Sequence, residues 1–153
     1  MNVMLKPTGH ELELVRTLKA PRERVFAAWT DPQLANRWWA PKDFALLSCT
    51  MDVRPGGKWH RRMRSPGGIV VTKFGVYREV AAPERLVFTY QTEEDGALDA
   101  ETLVTVTFEE TAAGTRLTLR HVAFESAAAS VDHRGGWGGA LDRCVAFMSA
   151  AQG

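Results

Sequence analysis

Six short β-strand patterns between Phe44 and Val122, each closed by a turn signal, restrict the folds open to this chain more than any other feature. In order they are FALLSCTMDV, KWHRRMR, IVVTKFGVYREV, RLVFTYQTE, ETLVTVTFEE and TRLTLRHV. Glycine, proline and aspartate separate them, as in the Asp95-Gly96 pair. These residues favour tight turns, so the segment predicts an antiparallel meander of six strands.

The residues before this meander predict one further strand and two short helices. HELELVRTLKA alternates as a strand does, with one face made of Leu12, Leu14, Arg16 and Leu18. In APRERVFAAWTDPQLANRWWAP, Pro21 suits a first helical turn, and the Asp31-Pro32 pair ends one helix and starts another. Pro41 stops the second helix.

The last stretch, SVDHRGGWGGALDRCVAFMSAAQ, predicts a long amphipathic helix. Its apolar residues recur at spacings of three and four, with Asp142 and Arg143 turned away; the stripe consists of Trp137, Leu141, Cys144, Val145 and Met148. Seven antiparallel strands must then bury one face against one terminal helix. The sequence therefore predicts an α+β fold in which a strongly curved seven-stranded sheet wraps the C-terminal helix.

Composition indicates an ordinary globular protein and removes several classes of function. The 153 residues suit a single domain, with a core from about 11 to 150, and the net charge of +1 is too small for a dedicated nucleic-acid binder. The apolar runs are too short for stable membrane insertion, and the N-terminus lacks the pattern of a secretory leader, so we expect a cytoplasmic protein. Cys49 and Cys144 are expected to be reduced.

Six segments, in order, resemble the signatures of one bacterial family. They are APRERVFAAWTDPQLANRWWAP, DVRPGGKW, YREVAAPERLVFTY, TLVTVTFEE, GTRLTL and GWGGALDRCVAFM. The family is similar to the C-terminal domain of the activator of the ninety-kilodalton heat-shock-protein ATPase, within the START-like (SRPBCC) helix-grip superfamily. The resemblance extends from Glu11 to Ala150. It implies a birch-pollen-allergen-like fold with two short helices between strands 1 and 2.

The resemblance implies one fold but several different functions. Members of the superfamily hold lipids, polyketides, steroids or other hydrophobic molecules in a cavity between the sheet and the terminal helix. Some relatives are cyclases or hydrolases, and the eukaryotic namesake binds a chaperone. The fold alone does not choose among these functions.

Arg61 is the most informative departure from the family pattern, which usually places an apolar or aromatic residue there. Alternation puts Arg61 on the same face as Trp59 and Met63. An internal salt bridge with Glu79 or Glu101 would explain it, and so would a bulge after Gly57 that exposes the side chain. In the third interpretation, Arg61 orients a carboxylate, enolate or phosphate of a hydrophobic ligand.

His121 raises a similar choice. It shares a strand face with Leu117 and Leu119, so it could be a general base or polar anchor in the cavity. We favour the simpler interpretation, a strand-end histidine that caps a backbone group near the entrance. If the protein is a cyclase or isomerase, Arg61 would steady an enolate, and His121 or Glu79 would move a proton.

Eight residues are candidates for the ligand-binding wall: Trp59, Arg61, Met63, Leu117, Leu119, His121, Trp137 and Leu141. Trp38 or Trp39 is expected to plug one end of the sheet. The histidines show no metal-ligand spacing, and we expect no metal and no cofactor.

We therefore expect a domain that binds or carries a small hydrophobic ligand, which can include an anionic group. A cofactor-free enzyme on such a ligand, of the cyclase, isomerase or hydrolase type, is the alternative. A protein-interaction domain with a chaperone or regulatory partner is the third option. The edge strands and the glycine-rich segment around Trp137 are also compatible with a homodimer.

Overall fold

The computed structural model describes residues 11–122 and 127–152, with side chains described for 11–122 and 132–150. The elements, in chain order, are β1 Leu12–Leu18, α1 Arg22–Thr30, α2 Pro32–Ala35, β2 Ala45–Met51, β3 Lys58–Arg64, β4 Val70–Ala81, β5 Arg85–Glu94, β6 Ala97–Leu98, β7 Thr102–Thr111, β8 Gly114–Val122 and α3 Ala127–Gln152. This order confirms the predicted strand, two short helices, six-strand meander and long C-terminal helix, and it adds β6.

The boundary between the two short helices follows from one capping residue. The Asp31 side chain accepts a hydrogen bond of 3.0 Å from the backbone N–H of Gln33. Pro32 occupies the first turn of α2, where its missing N–H has no helical partner to lose. The Asp-Pro pair therefore ends α1 and begins α2, as the sequence predicts.

The strands form one antiparallel sheet in the order β1, β8, β7, β5, β4, β3, β2, with β6 paired to β5. The added strand has only two residues. It exists because Asp95 and Gly96 both adopt positive φ, 52° and 83°, which matches the hairpin turns that join closely paired strands.

The sheet is interrupted by two register shifts that increase its curvature. One lies between Leu46 and Ser48 on β2, and the other between Tyr77 and Glu79 on β4. Such bulges bend a strand and strengthen its twist. The second shift also changes which side chains of β4 face the helix, with consequences for the site.

Helix α3 packs on the inner face of the sheet. Its buried side chains are Trp137, Ala140, Leu141, Cys144 and Met148. Four of them belong to the stripe that the sequence predicts, and Val145 packs partly buried against the same core. At its margin, Arg16 of β1 donates from Nε to Oδ1 of Asp142 at 3.0 Å. Over the residues described, no helix is long and apolar enough to cross a membrane.

Candidate ligand-binding site

A cavity of about 380 Å³ lies between α3 and the middle strands of the sheet, and we call it the helix cavity. Strands β3 to β5 contribute Met63, Val71, Lys73, Tyr90, Thr92 and Glu94. The rest of the wall consists of Trp39, Pro41, Phe44, Asp99, Asp132, His133, Gly136, Trp137, Ala140 and Arg143. Its volume falls within the range of small-molecule sites.

Two cationic residues, Lys73 and Arg143, line this cavity, and Lys73 is the one whose nitrogen is not engaged by the backbone carbonyls of Trp38 and Trp39. Its Nζ donates a hydrogen bond of 2.9 Å to Oγ1 of Thr92 and lies 5.5 Å from the centre of the Tyr90 ring. Burial lowers the pKa of Lys73, and the nearby Asp99 and Glu94 carboxylates oppose that shift. Among the described side chains, no carboxylate forms an ion pair with it. An ammonium therefore faces the cavity with little to neutralise it.

Arg61 is buried on the inner face of β3, at 3% exposure. Its Nη2 donates to Oδ1 of Asn36 at 3.0 Å and approaches the sulfurs of Cys49 and Met51 at 3.4 and 3.8 Å. The Trp39 ring covers the guanidinium at 4.5 Å. Nε is buried and has no hydrogen-bond partner within the described part of the chain. Desolvation lowers the pKa of Arg61, with Cys49 the largest opposing influence.

Two of the three interpretations of Arg61 are therefore wrong. The bulge that would expose it is absent, because β3 pairs continuously with β4 from Lys58 to Arg64. The internal salt bridge is absent too, since Glu79 and Glu101 are exposed. Glu79 instead accepts from Nε of Arg85 at 3.1 Å.

Glu79 also fails as a proton carrier in the cavity. Strict alternation would place it beside Tyr77, which is buried. The register shift between these two residues turns Glu79 outward and brings Val80 against the core instead. The local sequence contains no pattern that predicts this bulge.

A second space of only about 20 Å³ lies beside Arg61, and we call it the Arg61 chamber. Its borders include Trp59, Tyr77 and Phe88. Among the side chains that the structure describes, Trp39 alone lines both the chamber and the helix cavity. Because its ring lies over the guanidinium, Trp39 separates Arg61 from the larger space.

The position of Trp39 depends on α3. Arg143 donates from Nε to the carbonyl oxygen of Trp38 at 2.9 Å and from Nη2 to that of Trp39 at 3.0 Å. The expectation that Arg143 turns away from the interior is thus wrong, because its guanidinium satisfies carbonyls after α2. Trp38 itself is fully buried, and its Nε1 donates to the Ala28 carbonyl at 3.0 Å.

His121 lies deep in the core and has no exposed surface. Trp137 Nε1 donates to its Nδ1 at 3.0 Å, so Nε2 carries the proton and donates to Oγ1 of Thr102 at 2.6 Å. The Thr102 hydroxyl in turn donates a hydrogen bond of 2.8 Å to the Tyr90 carbonyl oxygen. Burial holds the pKa of His121 well below its ordinary value, and His133 and Lys73 lower it further. The interpretation of His121 as an entrance cap is wrong.

The eight predicted wall residues separate into three groups. Met63 and Trp137 line the helix cavity, whereas Trp59 and Arg61 line the Arg61 chamber. The remaining four are core residues that border neither space: Leu117, Leu119, His121 and Leu141. In a helix-grip fold, the core residues and the cavity-lining residues lie on the same face of the sheet. Alternation therefore identifies the inner face, but it does not distinguish core residues from cavity-lining residues.

Sequence reasoning missed Lys73, although a signal was present. Lys73 alternates with Val71 and with Tyr77, both buried, on the predicted strand IVVTKFGVYREV. The same period-two argument that turns Arg61 inward also turns Lys73 inward. In the sheet the two residues lie directly opposite each other on β3 and β4.

The geometry is that of a helix-grip domain with a cavity, and the sequence identifies the family. A sequence model of the family described as "Activator of Hsp90 ATPase homolog 1-like protein" matches residues 19–149. The match covers most of the chain, so this protein belongs to that family. No functionally curated protein matches it.

Solved bacterial structures share the whole fold. The AHSA1 protein from Silicibacter pomeroyi is 26% identical, with a TM-score of 0.84 over 92% of this chain and 99% of that one. A protein from Chromobacterium violaceum is 26% identical, with a TM-score of 0.79 over 91% and 97%. An AHSA1-like protein from Aeromonas hydrophila, solved by NMR, is 26% identical, with a TM-score of 0.77 over 93% and 94%.

Proposed function

We propose that this protein binds a small hydrophobic molecule with an anionic group in the helix cavity. The family fold is consistent with a ligand-binding domain. The cavity supplies aromatic and aliphatic walls from Phe44, Met63, Val71, Tyr90 and Trp137. Such surfaces favour a ligand with a compact apolar body.

Lys73 is the observation that carries the anionic part of this proposal. An ammonium has three donors, and its hydrogen bond within the described structure takes one of them to Thr92. Its burial makes an uncompensated charge costly. A carboxylate in the cavity would accept from Nζ and restore the electrostatic interaction that burial removes.

Acidic side chains also border the cavity, but they lie at its outer margin. Glu94, Asp99 and Asp132 are exposed, so water screens their charges. Asp99 is partly engaged, because its Oδ1 accepts the backbone N–H of Thr92 at 2.7 Å. The positive charge therefore lies deeper than the negative ones, which favours a ligand that enters acid first.

Catalysis receives less support than binding. The enzyme alternative relied on His121 or Glu79 to move a proton. Both ring nitrogens of His121 are engaged by Trp137 and Thr102, and Glu79 faces outward. Neither group is placed to exchange a proton with a molecule in the helix cavity.

Calorimetric titration with 2-naphthoate and its neutral counterpart 2-naphthylmethanol tests the proposal. We expect the wild type to bind the acid about tenfold more tightly than the alcohol, because only the acid accepts charge-assisted hydrogen bonds. Lys73→Met should weaken acid binding by about tenfold and leave alcohol binding unchanged. Lys58→Met, at an exposed position of β3, is the matched control.

Two adjacent glycines of α3 test whether the helix cavity is the place of binding. Gly136 lines the cavity and has open space where a Cβ would stand, so Gly136→Leu should fill the cavity and abolish binding of both probes. Gly135 also has open space but does not line the cavity. Gly135→Leu gives a similar gain in helix propensity and should leave binding intact. Equal affinities of all these proteins for the probes would contradict the proposal.

A further inference from the structure

We infer that the Arg61 chamber is a closed carboxylate subsite, with Trp39 as its gate, in which one ligand carboxylate lies between Arg61 and Lys73. This inference rests on the proposed function, because it assigns the final position of the ligand's acid. It adds the guanidinium of Arg61, which lies outside the helix cavity, and gives a moving role to Trp39, which lines both spaces.

The first support is the arrangement of the two cations. Arg61 and Lys73 are direct partners in the antiparallel register of β3 and β4, on the same inner face. Residues so paired have Cβ atoms about 5 Å apart. Without ligand, Nη2 of Arg61 is turned toward Cys49 of β2, and Nζ of Lys73 is turned toward Thr92 of β5. A single carboxylate placed between the two strands would accept from both side chains once their flexible ends turn toward it.

The second support is the incomplete set of partners around Arg61. Its Nη2 contacts one amide oxygen and two sulfurs, none of which belongs to a carboxylate. Its Nε is buried without a partner among residues 11–122 and 132–150, although buried guanidinium groups normally pair with an acid. The planar fork of a guanidinium suits the two oxygens of a carboxylate.

The third support is the position of Trp39. The Arg61 chamber has room for about one water molecule, so a carboxylate can reach the guanidinium only if the indole moves. The backbone carbonyl of Trp39 is held by Arg143 of α3. A side-chain rotation of Trp39 would therefore join the two spaces without displacing the segment after α2.

Replacement of the Trp39 contact by a ligand carboxylate is expected to favour binding. While the gate is closed, the indole face supplies one cation–π contact to Arg61. An incoming carboxylate would replace that contact with charge-assisted hydrogen bonds to two cations, which are the stronger interaction. The indole would then be free to cover the ligand from the side of the helix cavity.

The test compares adjacent arginines of β3 that face opposite ways. Arg61→Met removes the buried guanidinium, and Arg62→Met removes an exposed one. We expect Arg61→Met to weaken 2-naphthoate binding about a hundredfold, with Arg62→Met unchanged. Binding of 2-naphthylmethanol should be equal in both variants, which shows that the cavity remains folded.

A double variant tests whether one carboxylate contacts both cations. If it does, the combined loss in Arg61→Met with Lys73→Met is smaller than the product of the two single losses. Trp39→Ala tests the gate, because the acid no longer has to displace the indole. We expect the ratio of acid to alcohol affinity to rise in Trp39→Ala, and to fall again when Arg61→Met is added.

The outcomes separate this inference from the proposed function. If Lys73→Met weakens acid binding but Arg61→Met does not, the acid stays in the helix cavity and the inference is overturned while the function stands. Independent, multiplicative losses in the double variant overturn the shared carboxylate. If the wild type binds neither probe, the proposed function fails, and the inference fails with it.

Discussion

His121 and Arg61 are both polar residues buried on the inner face of the sheet, at 0% and 3% exposure, yet their surroundings are opposite. Trp137 and Thr102 engage the two ring nitrogens of His121. Around Arg61, Nε has no partner among the residues described, and the acceptors that these residues offer to Nη2 are an amide oxygen and two sulfurs. A buried polar group whose hydrogen bonds are all satisfied stabilises the fold, whereas a buried polar group with unsatisfied donors indicates a binding position.

The comparison separates structural from binding roles within one core. Thr102 and Trp137 tie His121 to strands β5 and β7 and to helix α3, so the network joins the sheet to the helix. Arg61 instead lies behind Trp39 at the border of an apolar space. We therefore expect substitutions at the two positions to have opposite effects on stability.

The largest effect is expected for His121→Ala. The substitution opens a cavity and leaves the Trp137 indole N–H without its acceptor, so the free energy of unfolding should fall by about 3 kcal/mol. Urea denaturation followed by circular dichroism measures it. His60→Ala is the control, since His60 lies on the outer face of β3 against Ser48 and Thr50, and should cost less than about 1 kcal/mol. Equal losses in the two variants would contradict a structural role for His121.

The second effect is a dependence on pH. Because burial holds the pKa of His121 well below its value in the unfolded chain, the unfolded chain takes up a proton first as pH falls. The contribution of neutral His121 is complete above about pH 6.5 and is lost below it, at about 1.4 kcal/mol per pH unit until the folded protein is also protonated. Unfolding measured between neutral and mildly acidic pH should show this slope in the wild type. A His121→Gln variant with the same slope would refute the assignment.

The smallest effect, and the one of opposite sign, is expected for Arg61→Met. Methionine has a similar length, fits among the apolar walls of the chamber and removes a buried charge that has no carboxylate partner among the described side chains. Without ligand, the variant should be more stable by about 1 kcal/mol. The urea midpoint of Arg62→Met should stay near that of the wild type. A large loss of stability in Arg61→Met would place Arg61 with His121 as a structural residue.

The sequence predicted the fold well because its signals are local. Alternation, turn residues and the helical stripe around Trp137 each depend on near neighbours, and the family resemblance added the helix-grip arrangement. The inward direction of Arg61 followed from the same alternation, and Lys73 was within reach of that argument.

The parts that were wrong depend on distant contacts. The bulge that turns Glu79 outward arises from the pairing of β4 with β5, and the sequence around Glu79 contains no pattern that predicts it. The network around His121 joins residues from four separate elements, and Trp39 reaches Arg61 from the segment after α2. Sequence patterns indicate which face is buried, but they do not show which buried groups find partners.

The stability of the wild type and of Arg61→Met, each measured with and without 2-naphthoate, tests most directly whether Arg61 belongs to a binding site. At a thousandfold excess over the wild-type dissociation constant, the acid should add about 4.1 kcal/mol to the wild type, but only about 1.4 kcal/mol to a variant that binds a hundredfold more weakly. We expect the order of stability to reverse, with the variant ahead without the acid and the wild type ahead with it. Equal gains in the two proteins would show that the carboxylate never reaches Arg61.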